Sequence, residues 1–113
     1  MTAEEARNIY QQAFDLYNKG EYGKAISLYN KLLEFKRRNP LLFESAGLNV
    51  YEVRKLQAIS LCKSGQYDDA EKELKALQSV VSQYRGRSSQ MKYWELVAHY
   101  KGDTKKAMDE WLK

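Results

Sequence analysis

A chain of 113 residues with 43% hydrophobic and 30% charged positions has the composition of one globular domain, which at this size buries about 60 to 70% of its unfolded surface. No stretch comes near the roughly 20 apolar residues of a membrane span, so a soluble chain without membrane contact is expected. Net charge is +4 with a pI near 9.1, a surplus that reads as a solubilising surface rather than the strong basic footprint of a nucleic-acid binder.

The first element is predicted over about residues 3–19. Thr2-x-x-Glu5 is a capping-box pattern, Ala6, Ile9, Ala13, Leu16 and Tyr17 recur at helical spacing, and Gly20 supplies the left-handed stop. A second helix starts near Tyr22, carries Ala25, Ile26, Leu28, Tyr29, Leu32, Leu33 and Phe35, and ends in Lys36-Arg37-Arg38, a basic run that complements its C-terminal dipole before Asn39-Pro40. Residues 39–48 form an irregular junction too apolar for a linker. Leu41, Leu42 and Phe43 are expected to pack on the hairpins as a helical extension or loop, the other reading being a docking segment.

Asn49-x-x-Glu52 caps a third helix bearing Val50, Val53, Leu56, Ile59 and Leu61, which closes at Gly65. Asp68-x-x-Glu71 is read as the cap of a fourth. Its buried stripe is Ala70, Leu74, Leu77, Val80 and Val81, and Tyr84-Arg85-Gly86-Arg87 ends it. Ser88 or Ser89 opens a fifth helix with Met91, Tyr93, Trp94, Leu96, Val97 and Tyr100. Asp103 or Thr104 caps the sixth, which is short and carries Ala107, Met108, Trp111 and Leu112. Such an end face predicts cover by further chain or by a second copy in a homodimer, against packing of Trp111 inside its own hairpin.

Three blocks repeat: Gly20, Ala25, Tyr29; Gly65, Ala70, Leu74; Gly102, Ala107, Trp111. Glycine permits positive φ between two antiparallel helices, and the alanine is small enough for them to approach at their crossing. Tyr22 and Tyr67, two residues after their glycines, can wedge beneath the turn, a place that Thr104 takes in the third unit. The blocks Lys19 to Ala25, Ser64 to Ala70 and Lys101 to Ala107 resemble the middle of the tetratricopeptide repeat. The resemblance implies an all-α fold, antiparallel helical hairpins stacked as a short right-handed superhelix, in one domain over 1–113 with hairpins at about 3–38, 49–84 and 88–113. Glycine spacings of about 45 and 37 residues exceed the roughly 34 of the family repeat. Ala13 and Ala58 keep a small residue at the helix crossing, whereas Glu95 stands there in the third unit, which is therefore degenerate or shifted in register.

The resemblance also implies a non-catalytic scaffold whose first helices line a concave groove for a peptide or partner protein. Carried over by position, that groove presents Arg7, Tyr10, Phe14, Tyr17 and Asn18 from the first unit. Lys55, Ile59, Cys62 and Lys63 follow from the second, and Lys92, Leu96, His99 and Tyr100 from the third. The surface so drawn is aromatic with a basic rim, which favours an acidic partner. The family's clamp for a chaperone C-terminal carboxylate is absent, since its positions hold Tyr10, Phe14, Leu56, Ser89 and Tyr93.

Little else carries chemistry. His99 has no cysteine or carboxylate at a catalytic spacing, Cys62 lies in an apolar stripe with no activating base in view, and the pair Asp68-Asp69 suits a helix start. A lone cysteine excludes an internal disulfide, and with one histidine it leaves too few ligands for structural zinc. The acidic start Met1-Thr2-Ala3-Glu4-Glu5 does not read as a secretory leader, so a reducing cytoplasmic setting is expected, with no cofactor and no catalytic residue. The alternative function is a nucleic-acid-associated module using the helix ends Lys36-Arg37-Arg38 and Arg85-Gly86-Arg87.

Overall fold

Short polar side chains decide where the helices begin. The computed structural model, which describes residues 1–81 and 88–113, contains α1 (Ala3–Asn18), α2 (Tyr22–Arg38), α3 (Pro40–Ser45), α4 (Val50–Lys63), α5 (Tyr67–Val81), α6 (Ser88–His99) and α7 (Thr104–Trp111), with no strand among the described residues. Thr2 closes a full capping box on α1: its hydroxyl accepts from the Glu5 amide at 3.1 Å, and the Glu5 carboxylate accepts from the Thr2 amide at 3.3 Å. The Asn49 side chain accepts from the Tyr51 and Glu52 amides, and Asp103 accepts from the Lys106 amide. One expected cap is displaced. Because α5 already begins at Tyr67, Asp68 lies inside its first turn and pairs instead with Lys101. The expected stop at Tyr84 to Arg87 falls outside the described residues.

Two turns share one hydrogen-bond pattern. The Glu21 amide donates to the Leu16 carbonyl and the Gln66 amide to the Leu61 carbonyl, each at 2.9 Å, with Gly20 at φ +82° and Gly65 at φ +88° as the left-handed residue. In the α6–α7 turn the corresponding bond runs from the Gly102 amide to the Val97 carbonyl at 2.8 Å. The left-handed position therefore falls on Lys101, at φ 54°, one residue before the glycine. The third unit is shifted by one residue.

Each helix packs on its chain neighbour: α1 on α2, α4 on α5 and α6 on α7 make three helical hairpins. Contacts of α2 with α4, α5 with α6 and α4 with α6 join them. Ala25, Ala70 and Ala107, the alanines of the repeated blocks, are fully buried, as are Ala13 and Ala58. The largest core cluster surrounds Tyr29, Leu32, Phe35, Phe43, Val53 and Leu56. A second gathers Leu61, Cys62, Ala70, Leu96, Val97 and Ala98, and a third gathers Ala58, Leu74, Leu77 and Met91. Glu95 is buried too, and its carboxylate accepts from Gln78 Nε2 at 3.0 Å and Lys92 Nζ at 2.8 Å, so this buried charge is paired.

The junction is helical and only partly packed. Phe43 inserts into the first cluster at 3% exposure, and α3 touches both α1 and α2. Leu41 and Leu42, also expected to pack, are instead 80% and 43% exposed, because a six-residue helix offers the core a single face. Val80, expected in the buried stripe of α5, is likewise exposed. Trp111 is not enclosed by its hairpin: it lies against Tyr93 with ring centroids 5.5 Å apart, yet it stays exposed with Met108 and Leu112. Among the described residues, no helix is long and apolar enough to cross a membrane.

Candidate functional site

Tyr10, Phe14 and Tyr17 recur at a spacing of one helical turn, so they share one face of α1. Their rings form a ladder with centroids 6.4 Å apart at both steps and planes nearly parallel, and Tyr22 closes its end edge-on to Tyr17 at 5.8 Å. Phe14 is exposed and the three tyrosines are half-buried. Arg7 and Asn18 extend the same face in either direction, both exposed.

Lys63, the last residue of α4, brings this ladder to a second one. Its ammonium lies 5.0 Å from the ring centroid of Tyr17, 5.5 Å from that of Tyr22 and 5.2 Å from that of Trp94 on α6. Trp94 meets Tyr93 at 5.2 Å, and Tyr93 meets Trp111 on α7. A strip of seven rings thus runs from α1 to α7 with one cation at its middle. No carboxylate pairs with Lys63 among the described residues. Lys55, one face of α4 further back, is neutralised by Glu52 at 3.2 Å.

Behind the ladder lies Tyr29, fully buried on α2, whose hydroxyl has no hydrogen-bond partner among the described residues. Burial, reinforced by Tyr10, Tyr17 and Glu52, pushes its phenol far above the usual range. Tyr10 is raised in the same way, by burial first and Glu52 second. Neither phenol offers a proton at neutral pH.

The expected groove residues divide. Arg7, Tyr10, Phe14, Tyr17, Asn18, Lys55 and Lys63 stand on or beside the strip. Ile59 does not: at 2% exposure it belongs to the interior and cannot meet a ligand, because α5 and α6 both pack on α4 and cover its middle. Cys62 is buried as well, and burial pushes its thiol up to about 11, Lys63 opposing more weakly. Lys92 and His99 turn away toward α5. His99 Nδ1 lies 2.8 Å from Glu71, and Lys92 joins the Glu95 and Gln78 group. Leu96 is buried, and Tyr100 lies under the Lys106 ammonium at 5.0 Å. Trp94, Tyr93 and Trp111 take the places expected of Lys92 and His99. Their helical spacing carried no sign of this, because a tryptophan on an apolar helix face reads as core.

The basic helix end at Lys36-Arg37-Arg38 is offset in part by a single carboxylate, Glu34. Arg37 Nε donates to Glu34 at 3.1 Å and Arg38 Nε at 2.9 Å, and these arginines hold the Glu34 carboxyl below its ordinary range, the Arg37 hydrogen bond first. Arg85 and Arg87 lie outside the described residues. No group of histidine, cysteine and acidic residues that could hold a metal ion occurs among the described residues. Comparison with protein families, curated proteins and solved structures finds no match to this chain.

Proposed function

We propose that the chain is a non-catalytic protein-interaction module of the tetratricopeptide type, a scaffold that takes a peptide or partner protein along the aromatic strip. The observation that carries this reading is the parallel stacking of exposed Phe14 between half-buried Tyr10 and Tyr17 on one face of α1, continued through Lys63 to Trp94. Rings held in fixed register supply contact area at low entropic cost, which is why aromatic side chains dominate binding hot spots. The three helical hairpins and their glycine turns support a short superhelical stack. A cytoplasmic location belongs to the same reading. The nucleic-acid alternative rests on the basic end of α2, where Glu34 engages Arg37 and Arg38 but offsets only one of the three positive charges.

The test is a selection of displayed random dodecapeptides against the whole chain, followed by binding to Phe14→Ala and Tyr17→Ala. Enriched peptides should lose on the order of 2 kcal/mol of affinity for each ring removed, while circular dichroism stays helical. Absence of any enriched peptide, or affinity unchanged in both variants, would remove the strip from consideration.

A further inference from the structure

Lys63 differs from the other lysines of α4, α6 and the turn after α6. Lys55 is paired with Glu52, Lys92 with Glu95 and Lys101 with Asp68, whereas Lys63 is surrounded by ring faces and meets no carboxylate. Cation–π contact orients an ammonium and leaves its charge unneutralised. Lys63 itself stays exposed, so an incoming anion can reach its ammonium. The cation is thus fixed and available.

Position decides the kind of anion. Four rings lie on one side of Lys63, from Tyr22 back to Tyr10, and three lie on the other, from Trp94 through Tyr93 to Trp111. A peptide following the strip passes over apolar rings both before and after it reaches the ammonium. A chain terminus would leave one half of the strip uncovered. From this we infer that Lys63 is the specificity point of the strip, and that it takes an acidic side chain from the interior of a peptide whose flanking residues on both sides are apolar or aromatic. This rests on the strip being a peptide site and names the class of peptide it takes.

The same dodecapeptide selection tests it, with each peptide flanked by constant linkers so that no free carboxylate terminus is presented. Enriched sequences should share a Glu or Asp with apolar residues to either side. For one such peptide, Lys63→Gln should weaken binding about fivefold, Lys63→Arg should restore it, and Lys63→Glu should reverse the preference toward basic peptides. Lys63→Gln against the peptide with its acid changed to Gln should show no further loss, so the cycle isolates the pair. Added salt should weaken the acidic peptide and spare its Gln counterpart.

Enrichment without acid preference, or a cycle with no coupling, overturns the role of Lys63 and leaves the peptide site standing. A complete lack of enrichment overturns the peptide site itself. Binding only by a parallel library with a free C-terminus overturns the assignment to an interior side chain.

Discussion

The first and last hairpins are built from the same repeated block, yet they solve the turn differently. In α1–α2 the glycine takes the left-handed position and nothing lies within 4 Å of where its Cβ would be. In α6–α7 the left-handed position that closes the turn falls on Lys101, Gly102 follows at φ +91°, and a Cβ on it would lie 3.0 Å from Tyr67 Cζ and nearer still to its hydroxyl. Gly20 is thus required by backbone conformation alone, Gly102 by conformation and by the ring that α5 places against it. The two ends differ in cover as well. The first hairpin receives Phe43 from α3 into its core, while α7 leaves Trp111, Met108 and Leu112 exposed.

The largest effect is expected where two demands coincide. Gly102→Ala should destabilise by about 3 to 4 kcal/mol, since the new methyl must displace Tyr67 in addition to straining φ. Gly20→Ala should cost only about 1 kcal/mol, the left-handed penalty less the entropy recovered in the unfolded chain. Urea midpoints measure both. In a Tyr67→Phe background the gap between them should narrow, and equal costs for the two glycines in the unaltered chain would end the distinction.

Cover is tested next. Phe43→Ala should cost about 3 kcal/mol, as deletion of a buried ring does, against about 1 kcal/mol for the exposed Trp111→Ala. Thermal unfolding of the two variants side by side is sufficient. A larger loss at Trp111 would mean that the C-terminal end is the better packed.

Much of this contrast was legible in the sequence, and the boundary of what was legible is physical. Caps and turns are local: Thr2, Asn49, Gly20 and Gly65 act on residues within four or five positions, so short patterns report them. The alanines of the blocks are equally local, because helix crossings need small residues wherever they occur. The phase of α3 was not legible. Leu41, Leu42 and Phe43 are all apolar, and only packing against α1 and α2 selects Phe43. The strip was half legible, since Tyr10, Phe14 and Tyr17 lie on one helix. Its other half was not, since Tyr93, Trp94 and Trp111 are aromatics on apolar helices, which read as core. Carrying positions over from the first unit pointed to Lys92 and His99, which face α5, and passed over Trp94.

Behind the first ladder a smaller gain is expected. Tyr29→Phe keeps the ring of the first core cluster and removes a buried hydroxyl that has no partner, so it should stabilise the chain by about 1 kcal/mol. A loss of similar size would show that this hydroxyl is satisfied in solution. No such gain is available at the other end, where the buried polar side chain, Glu95, is already bonded by Lys92 and Gln78.

The smallest effect bears most directly on the shifted turn, because it predicts opposite signs for one substitution at the two ends. Lys101 holds φ 54°, a conformation that a side chain disfavours by about 1 to 2 kcal/mol, whereas Lys19 closes α1 in ordinary helical geometry at φ −84°. Lys101→Gly removes that strain and adds the unfolded-state entropy of glycine, about 0.5 to 1 kcal/mol, so the net gain should be about 0.5 kcal/mol. The exposed pair with Asp68 would be lost at the same time, so the comparison belongs in an Asp68→Ala background where that pair no longer exists. Lys19→Gly has no strain to relieve and should cost about 0.5 kcal/mol. If both substitutions destabilise equally in chemical denaturation, Lys101 is not left-handed in solution, and the last turn is closed by Gly102 in the register of the other two.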